Sequence, residues 1–402
     1  MTFSILPHVA RVYVRWVFLR AIFHRGWWLV TSLYLVTEVG LTPLELIFLG
    51  TAQGMVVVIF EVPAGVVADT FSRKWSIVIA HAVMGLGMIT TGLFTDFRAL
   101  VITQMIWGLS WTFSSGADVA WLTDEMDQPE HTASALTFAA RAQLAGAATG
   151  LILFGLFASM TQLSTAIVIA GLCMWITGAL VIATFSEVRF SPAKAAPFSS
   201  TLMTLRRGIA AIKRDRIILV VLLVTVAING ANEIFERLYP KRLVELGLPE
   251  KPDPILWLAL LGLVTLVLGA IALSVLQTHI NNTKTPIRIY IFGCVVGTLG
   301  LMLFALAPSF VFAMLGVLMV HGIAWTIVGL IGTILVNSRV NSEIRATMQS
   351  FLAQAENLGE ITLGLSLGLV AQHSGIAISM LGASALVAVS ALLLLKLVKD
   401  PF

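Results

Sequence analysis

The sequence predicts an all-α membrane protein of twelve transmembrane helices, arranged as two pseudo-symmetric six-helix bundles. Three observations predict it. Of 402 residues, 58% are hydrophobic and only 11% charged, with a mean hydropathy of +0.95; a soluble domain carries roughly 25% charged residues. Apolar runs of about 20 residues, the length that crosses a bilayer, recur along the whole chain. The second half also repeats short motifs of the first. This composition excludes a soluble enzyme, a disordered regulator and a nucleic-acid binder. The net charge of +4 and pI of 9.2 imply no polyanion partner, because basic residues collect at the cytoplasmic ends of membrane helices.

In chain order, the first six spans are expected at 13–37, 44–68, 75–95, 98–122, 134–159 and 163–186. The second six are expected at 217–239, 254–278, 286–306, 309–335, 344–371 and 375–397. Turn or charge clusters separate them, as at Asp69 to Lys74, Asp124 to His131, Lys251 to Pro254, Asn281 to Pro286, and Ala307-Pro308-Ser309. Barrel strands would alternate apolar and polar residues. These runs are continuously apolar, so they read as helices. The first run contains Arg15, Arg20 and Arg25 and no small-residue cleavage site, so it reads as a retained span rather than a signal peptide. Cys173 and Cys294 lie inside apolar runs and offer neither a disulfide framework nor metal-ligand spacing.

Residues 187–216 differ from every other connection. They hold Arg189, Lys194, Arg206, Arg207, Lys213, Arg214 and Arg216, with Pro192 and Pro197. They read as a basic cytoplasmic linker, partly helical on the membrane surface, between bundles 1–186 and 217–402. Gly108-Leu109-Ser110-Trp111-Thr112 returns as Gly322-Ile323-Ala324-Trp325-Thr326. Phe138, Ala140, Ala142, Gly146 and Thr149 return as Phe351, Ala353, Ala355, Gly359 and Thr362. The offsets, 214 and 213, are nearly constant, which reads as a 6+6 duplication. With the N-terminus inside, cytoplasmic segments collect 16 Lys and Arg residues. The opposite side collects four: Arg98, Lys241, Arg242 and Lys251. Both termini are therefore expected in the cytoplasm.

Ionisable groups inside spans cost at least about 2.5–3.5 kcal/mol each, so they normally face a partner or a wet cavity. The first span holds Arg20, His24 and Arg25, the fourth Asp118 and the fifth Arg141. The seventh holds Asn229, Asn232, Glu233 and Glu236, and the eleventh Glu356 and Glu360. At a rise of about 1.5 Å per residue, Arg25 and Glu356 lie near mid-membrane. Glu233, Glu356 and Glu360 are the candidate proton-coupling residues; salt bridges with Arg20, Arg25 or Arg237 are the alternative. Glu356 and Glu360, spaced i,i+4, share a helical face and tend to hold one proton between them. Asp118 and Arg141, at equal depth near the cytoplasmic face, are expected to form an ion pair that is structural or gating. Trp107, Trp111 and Asp118 form one stripe on the fourth span. Arg25, Trp111, Asn229 and Trp325 are the candidate substrate contacts, since flat indoles suit amphipathic or aromatic cargo. No cluster has metal-ligand spacing, and no glycine-rich loop follows a strand, so no metal, nucleotide or other cofactor is expected.

The loop after the second span reads Gly65-Val-Val-Ala-Asp69-Thr-Phe-Ser-Arg73-Lys74. With twelve spans and a central basic loop, it resembles the major facilitator superfamily, whose signature is Gly-x-x-x-Asp-(Arg/Lys)-x-Gly-(Arg/Lys)-(Arg/Lys). Gly65, Asp69, Arg73 and Lys74 match; Thr70 and Ser72 depart. Phe60-Glu61-Val62-Pro63-Ala64-Gly65 resembles the family's bacterial drug and macrolide efflux branch. The resemblance implies a major facilitator fold. It also implies a gate at Gly65, Asp69, Arg73 and Lys74, where Gly65 permits close helix approach and Asp69 caps a helix of the other half or pairs with an arginine. Topology alone is the other reading of these charges. The family's helices 1, 4, 7 and 10 line a cavity, and the halves rock to expose it alternately.

The expected function is secondary active transport in a bacterial inner membrane by a monomer with no enzymatic activity. Proton-coupled export of an amphipathic small molecule, of drug-efflux type, is the leading reading. Uptake or exchange of an anionic metabolite, held by Arg20 and Arg25, is the alternative; a non-transporting sensor or scramblase is a remote one. The family's antiporter pattern on the fifth helix ends in Gly-Pro-x-x-Gly-Gly. Here Gly146-Ala-Ala-Thr-Gly150 lacks the proline, which counts against export.

Overall fold

The computed structural model describes residues 6–126, 129–192, 198–277 and 285–399. Lys194, Lys284 and most of the turn expected at 281–286 lie outside the described residues. Among the described residues, every regular element is a helix. Helices α1 (His8–Thr37), α2 (Pro43–Thr70) and α3 (Arg73–Leu93) follow one another through short turns. Next come α4 (Phe97–Ser114), α5 (Ala117–Glu125), α6 (Thr132–Met160) and α7 (Leu163–Thr184). The linker contributes α8 (Phe198–Arg214). The rest of the chain forms α9 (Arg216–Glu245), α10 (Pro254–Gln277), α11 (Thr285–Ala305), α12 (Phe310–Val317) and α13 (Trp325–Asn337), then α14 (Ser342–Leu358), α15 (Leu365–Ser374) and α16 (Ile376–Lys399). Short polar side chains start several of them: Ser72 accepts from the Trp75 N–H, Asp96 from Ala99, and Asp215 from Ile217 and Ile218.

Nine helical stretches among the described residues are long and apolar enough to cross a membrane. The other expected spans, 13–37, 98–122 and 344–371, are also helical, but charge or a break interrupts each. Arg11, Arg15, Arg20 and Arg25 crowd α1. Gly116, at φ 76°, ends the fourth span early, so Asp118 lies on the separate helix α5 and not on the tryptophan stripe of α4. A Cβ at Gly116 would meet nothing within 4 Å, so its backbone alone demands glycine. Gly116→Ala is expected to cost about 1–2 kcal/mol, read as a lower unfolding temperature in detergent.

Two helices contain a widened π turn. Leu318–Ala324 joins α12 to α13, and Gly359–Gly364 joins α14 to α15. Such turns insert a residue and concentrate at functional sites. Here they carry His321 and Glu360.

The chain divides into two compact units. One holds Met1–Leu41, Ala52–Ala195 and Glu250–Gly262; the other holds Thr42–Thr51, Ala196–Pro249 and Leu263–Phe402. Repeat-matched glycines make matching contacts inside each. In the first unit a Cβ at Gly146 would fall 2.4 Å from the Phe18 carbonyl oxygen of α1. In the second, one at Gly359 would fall 2.2 Å from the Val226 carbonyl oxygen of α9. Gly108 lies against Gln53 of α2, and its counterpart Gly322 against Leu268 of α10. Small residues bring helix backbones together where the lipid-facing surface offers no hydrophobic drive.

Candidate functional site

In the first unit, Arg20 of α1 is the centre of a polar and aromatic cluster. Its guanidinium lies 4.0 Å from the Asp118 carboxylate and donates to Ser114 Oγ at 2.9 Å. It sits over the rings of Trp16 and Trp111, 5.3 and 5.1 Å from their centroids, a cation–π arrangement with each. Tyr13 donates its hydroxyl to Asp118 at 3.4 Å. The Trp16 indole donates to His81 Nε2 at 3.2 Å, while His81 Nδ1 lies 2.8 Å from the Ile77 carbonyl. This pairing makes Nδ1 the protonated nitrogen of a neutral ring. Asp118 therefore pairs with Arg20 and not, as depth along the helices suggested, with Arg141. Arg141 is exposed, its guanidinium 5.9 Å above the Phe138 ring. The break at Gly116 explains the difference, because it turns α5 toward α1.

An aromatic stack adjoins this cluster. His24 stacks on Trp107 at 5.5 Å, Trp107 on Trp111 at 6.0 Å, and Trp27 on Trp107 at 5.4 Å. Trp111 is 40% exposed, so the stack presents a flat face at its edge. The buried nitrogens His24 Nε2, Trp27 Nε1 and Trp107 Nε1 have no hydrogen-bond partner among the described residues. Buried polar atoms normally have partners, so these three stand out in the stack. Arg25, next along α1, is half-buried with no ion pair among the described residues.

The loop from α2 to α3 is tied down from several directions. Arg73 pairs with Asp69 at 3.8 Å and, more closely, with Asp124 at the end of α5. Of the two roles expected for Asp69, pairing with an arginine is the one formed. Glu187, just past α7, accepts from the Lys74 backbone N–H at 2.9 Å and from the Ser72 hydroxyl. The Lys74 ammonium donates to the Ile182 carbonyl at 2.9 Å. Glu125 accepts from the Arg189 N–H at 2.7 Å. A Cβ at Gly65 would meet nothing within 4 Å among the described residues, so the close approach expected there is absent from this conformation.

The second unit holds a cavity of about 190 Å³ lined by Thr225, Asn229, Asn232, Tyr290, Trp325 and Glu356. Three of the sequence-derived candidates, Asn229, Trp325 and Glu356, thus meet in one place. Asn229 donates to the Thr225 carbonyl one turn back at 2.9 Å. The Glu356 side chain is exposed. The Asn232 Oδ1 and Trp325 Nε1 atoms are buried and lack partners among the described residues.

Beside this cavity lies a group of charges. Glu233 accepts from Arg237 Nε at 3.0 Å, and both side chains are nearly buried. Gly50, in the first turns of α2, packs directly on this pair: a Cβ there would fall 1.8 Å from Glu233 Oε1 and 2.8 Å from Arg237 Nε. Glu360 interacts electrostatically with Glu233, Arg237, Glu356 and Glu236. The π turn beginning at Gly359 separates Glu360 from the α14 helix that carries Glu356. His321 Nε2 lies 3.1 Å from Glu236 Oε1, with the ring edge-on to Phe235 and Tyr239. Neither His321 nor its partnership with Glu236 stood out in the sequence. The one available signal was its place beside the repeated Gly322.

The family model described as Major Facilitator Superfamily matches residues 17–363. The chain belongs to the major facilitator superfamily. Solved structures agree in fold. A mutant of the nucleoside transporter NupG superposes with a TM-score of 0.82 at 15% identity, covering 96% of this chain and 99% of that one. A POT family transporter in complex with 5-aminolevulinic acid gives 0.79 at 10% identity, covering 98% and 96%. A bacterial homologue of the human lysosomal transporter Spinster, inward-facing and occupied, gives 0.75 at 12% identity, covering 98% and 97%. No curated protein sequence matches the chain. At these identities the likeness is one of fold. With the apolar helices, superfamily membership makes this a multi-pass membrane protein of a transporter family.

Proposed function

We propose that this superfamily member is a proton-coupled secondary transporter that exports an amphipathic small molecule of drug-efflux type by alternating access. The observation that carries the reading is Glu356: a carboxyl group exposed in a cavity of the second unit that also offers two carboxamides and an indole. A group that must meet both proton and cargo needs such a position. Glu233 and Glu360, held beside Arg237, extend the coupling set. In the first unit, the exposed part of Trp111 suits a flat cargo, and the buried, unpartnered His24 and Trp107 nitrogens would serve it in a conformation that uncovers them. Arg73, bridging Asp69 and Asp124, forms with Lys74 the gate that opens and closes with each cycle, with Gly65 making its close contact in another conformation. The Arg20–Asp118 pair and Arg141 of α6 belong to that machinery. The protein works as a monomer in a bacterial inner membrane. Both termini and the basic linker 187–216 are cytoplasmic, and the bundles 1–186 and 217–402 are its two halves.

One observation favours a second reading. Arg25 has no ion pair among the described residues, which suits an anionic metabolite taken up or exchanged.

Flux in sealed proteoliposomes under an imposed pH gradient tests both. Wild type moves an amphipathic cargo against its gradient when protons flow. Glu356→Gln loses gradient-driven movement and keeps part of the cargo exchange. If Glu356→Gln and Glu233→Gln both behave as wild type, the coupling assignment fails. Movement of organic anions alone, lost in Arg25→Gln, selects the second reading.

A further inference from the structure

The second unit has a larger cavity, distinct from the Glu356 site, at the end where α8 lies. It encloses about 970 Å³. Arg207 and Arg214 of α8 line it, with Arg216 at the start of α9, Arg288 at the start of α11, and Arg339 just past α13. Against these five guanidinium groups, Asp215 is the one carboxylate among the described lining residues. Asp215 is already engaged: Oδ1 accepts from the first N–H groups of α9, and Oδ2 lies 3.5 Å from Arg339. Arg214, Arg216 and Arg288 have no ion pair among the described residues. The cavity thus holds a surplus of positive charge on groups whose planar forks match phosphate oxygens.

Its remaining lining is apolar. Ile217 and Ile218, Ile287, Ile344, and Leu397 with Val398 border the same space. All but Ile344, which is in the first turn of α14, stand at the ends of α9, α11 and α16, three helices long and apolar enough to cross a membrane. Depth and chemistry therefore coincide. A phosphate among the arginines would sit at the ends of these apolar helices, where bilayer headgroups are expected, with an apolar wall beside it for the first carbons of an acyl chain. Charges that served only to orient the chain would need neither the concavity nor this wall. A soluble phosphate would leave the wall unused.

We propose that this cavity binds an anionic phospholipid of the surrounding leaflet, its phosphate between Arg214, Arg216 and Arg288 and its chain along the isoleucine and leucine wall.

The test titrates the full-length protein in a neutral detergent with three probes: a short-chain phosphatidylglycerol, the matching phosphatidylcholine, and glycerol phosphate. Binding is read by native mass spectrometry and by the rise in unfolding temperature. Phosphatidylglycerol is expected to bind at least about tenfold more tightly than either other probe, because charge and chain are both used. R216Q/R288Q should lower that affinity by at least about tenfold, whereas R345Q, an exposed arginine outside the cavity, should not. Arg288→Gln alone changes one exposed side chain and carries the same reading if the double variant folds poorly. Equal binding of the two lipids, equal binding of glycerol phosphate, or unchanged affinity in the Arg288 variants would overturn the proposal.

Discussion

Asp118→Asn is expected to lower stability by about 3 kcal/mol or more, because it leaves the Arg20 guanidinium in a largely buried site without its counter-charge. The two side chains are only 15% and 19% exposed. Ser114, Trp16 and Trp111 contribute hydrogen bonding and ring contact to Arg20 but no negative charge. Chemical or thermal unfolding in detergent reads the loss. The double variant Arg20→Met/Asp118→Leu removes both charges and should recover most of it, since a buried ion pair and an apolar pair of similar volume are often equally stable. Transport by the double variant then separates two roles. Recovered folding with recovered flux makes the pair structural. Recovered folding without flux makes it part of the cycle. An Asp118→Asn protein as stable as wild type would show that Arg20 is solvated rather than paired.

The second large effect concerns the repeat-matched glycines. Gly146→Ala and Gly359→Ala each place a methyl group against backbone, 2.4 and 2.2 Å from a carbonyl oxygen. Backbone cannot rotate aside as a side chain can. The helices must separate, at a cost of typically about 1–3 kcal/mol for overpacking and upward of that here. Both variants should unfold at clearly lower temperature, by similar amounts, because each added methyl meets a carbonyl oxygen of the facing helix at a similar distance. Gly65→Ala is the contrast, with open space around the added carbon and no expected loss of stability. If it turns over slowly while folding normally, Gly65 meets a neighbour in some other conformation of the cycle. Unchanged stability in Gly146→Ala would mean that the α1–α6 crossing is looser than it is here.

Part of the candidate site was legible in residue order. Asn229 and Trp325 are conspicuous as polar and aromatic side chains in apolar helices, Glu356 is a carboxyl group in an expected span, and the three line one cavity. Asp69 and Arg73 lie four residues apart, but Asp69 stands at the end of α2 and Arg73 opens α3, so the short turn between the helices brings them together. The expected Asp118–Arg141 pair does not form, for a definite reason: only an unbroken fourth span sets the two side by side, and the left-handed backbone at Gly116 ends that span early. The partners Asp124 and Glu187 carried no signal, because each reaches the α2–α3 loop from an element distant in sequence. His321 was missed because a single histidine in an apolar run has no pattern of its own.

Order of apolar and polar residues alone determined that the chain is helical and membrane-embedded, where most helices run, and that its halves carry matching motifs. These are properties of local hydropathy and of short repeats, which need no knowledge of neighbours. Tertiary structure decided which charge answers which: Arg20 with Asp118, Arg73 with Asp124, and five arginines around one apolar wall. In a low-dielectric interior a charge is governed by whatever lies within a few ångströms of it. Those distances exist only after distant segments have packed.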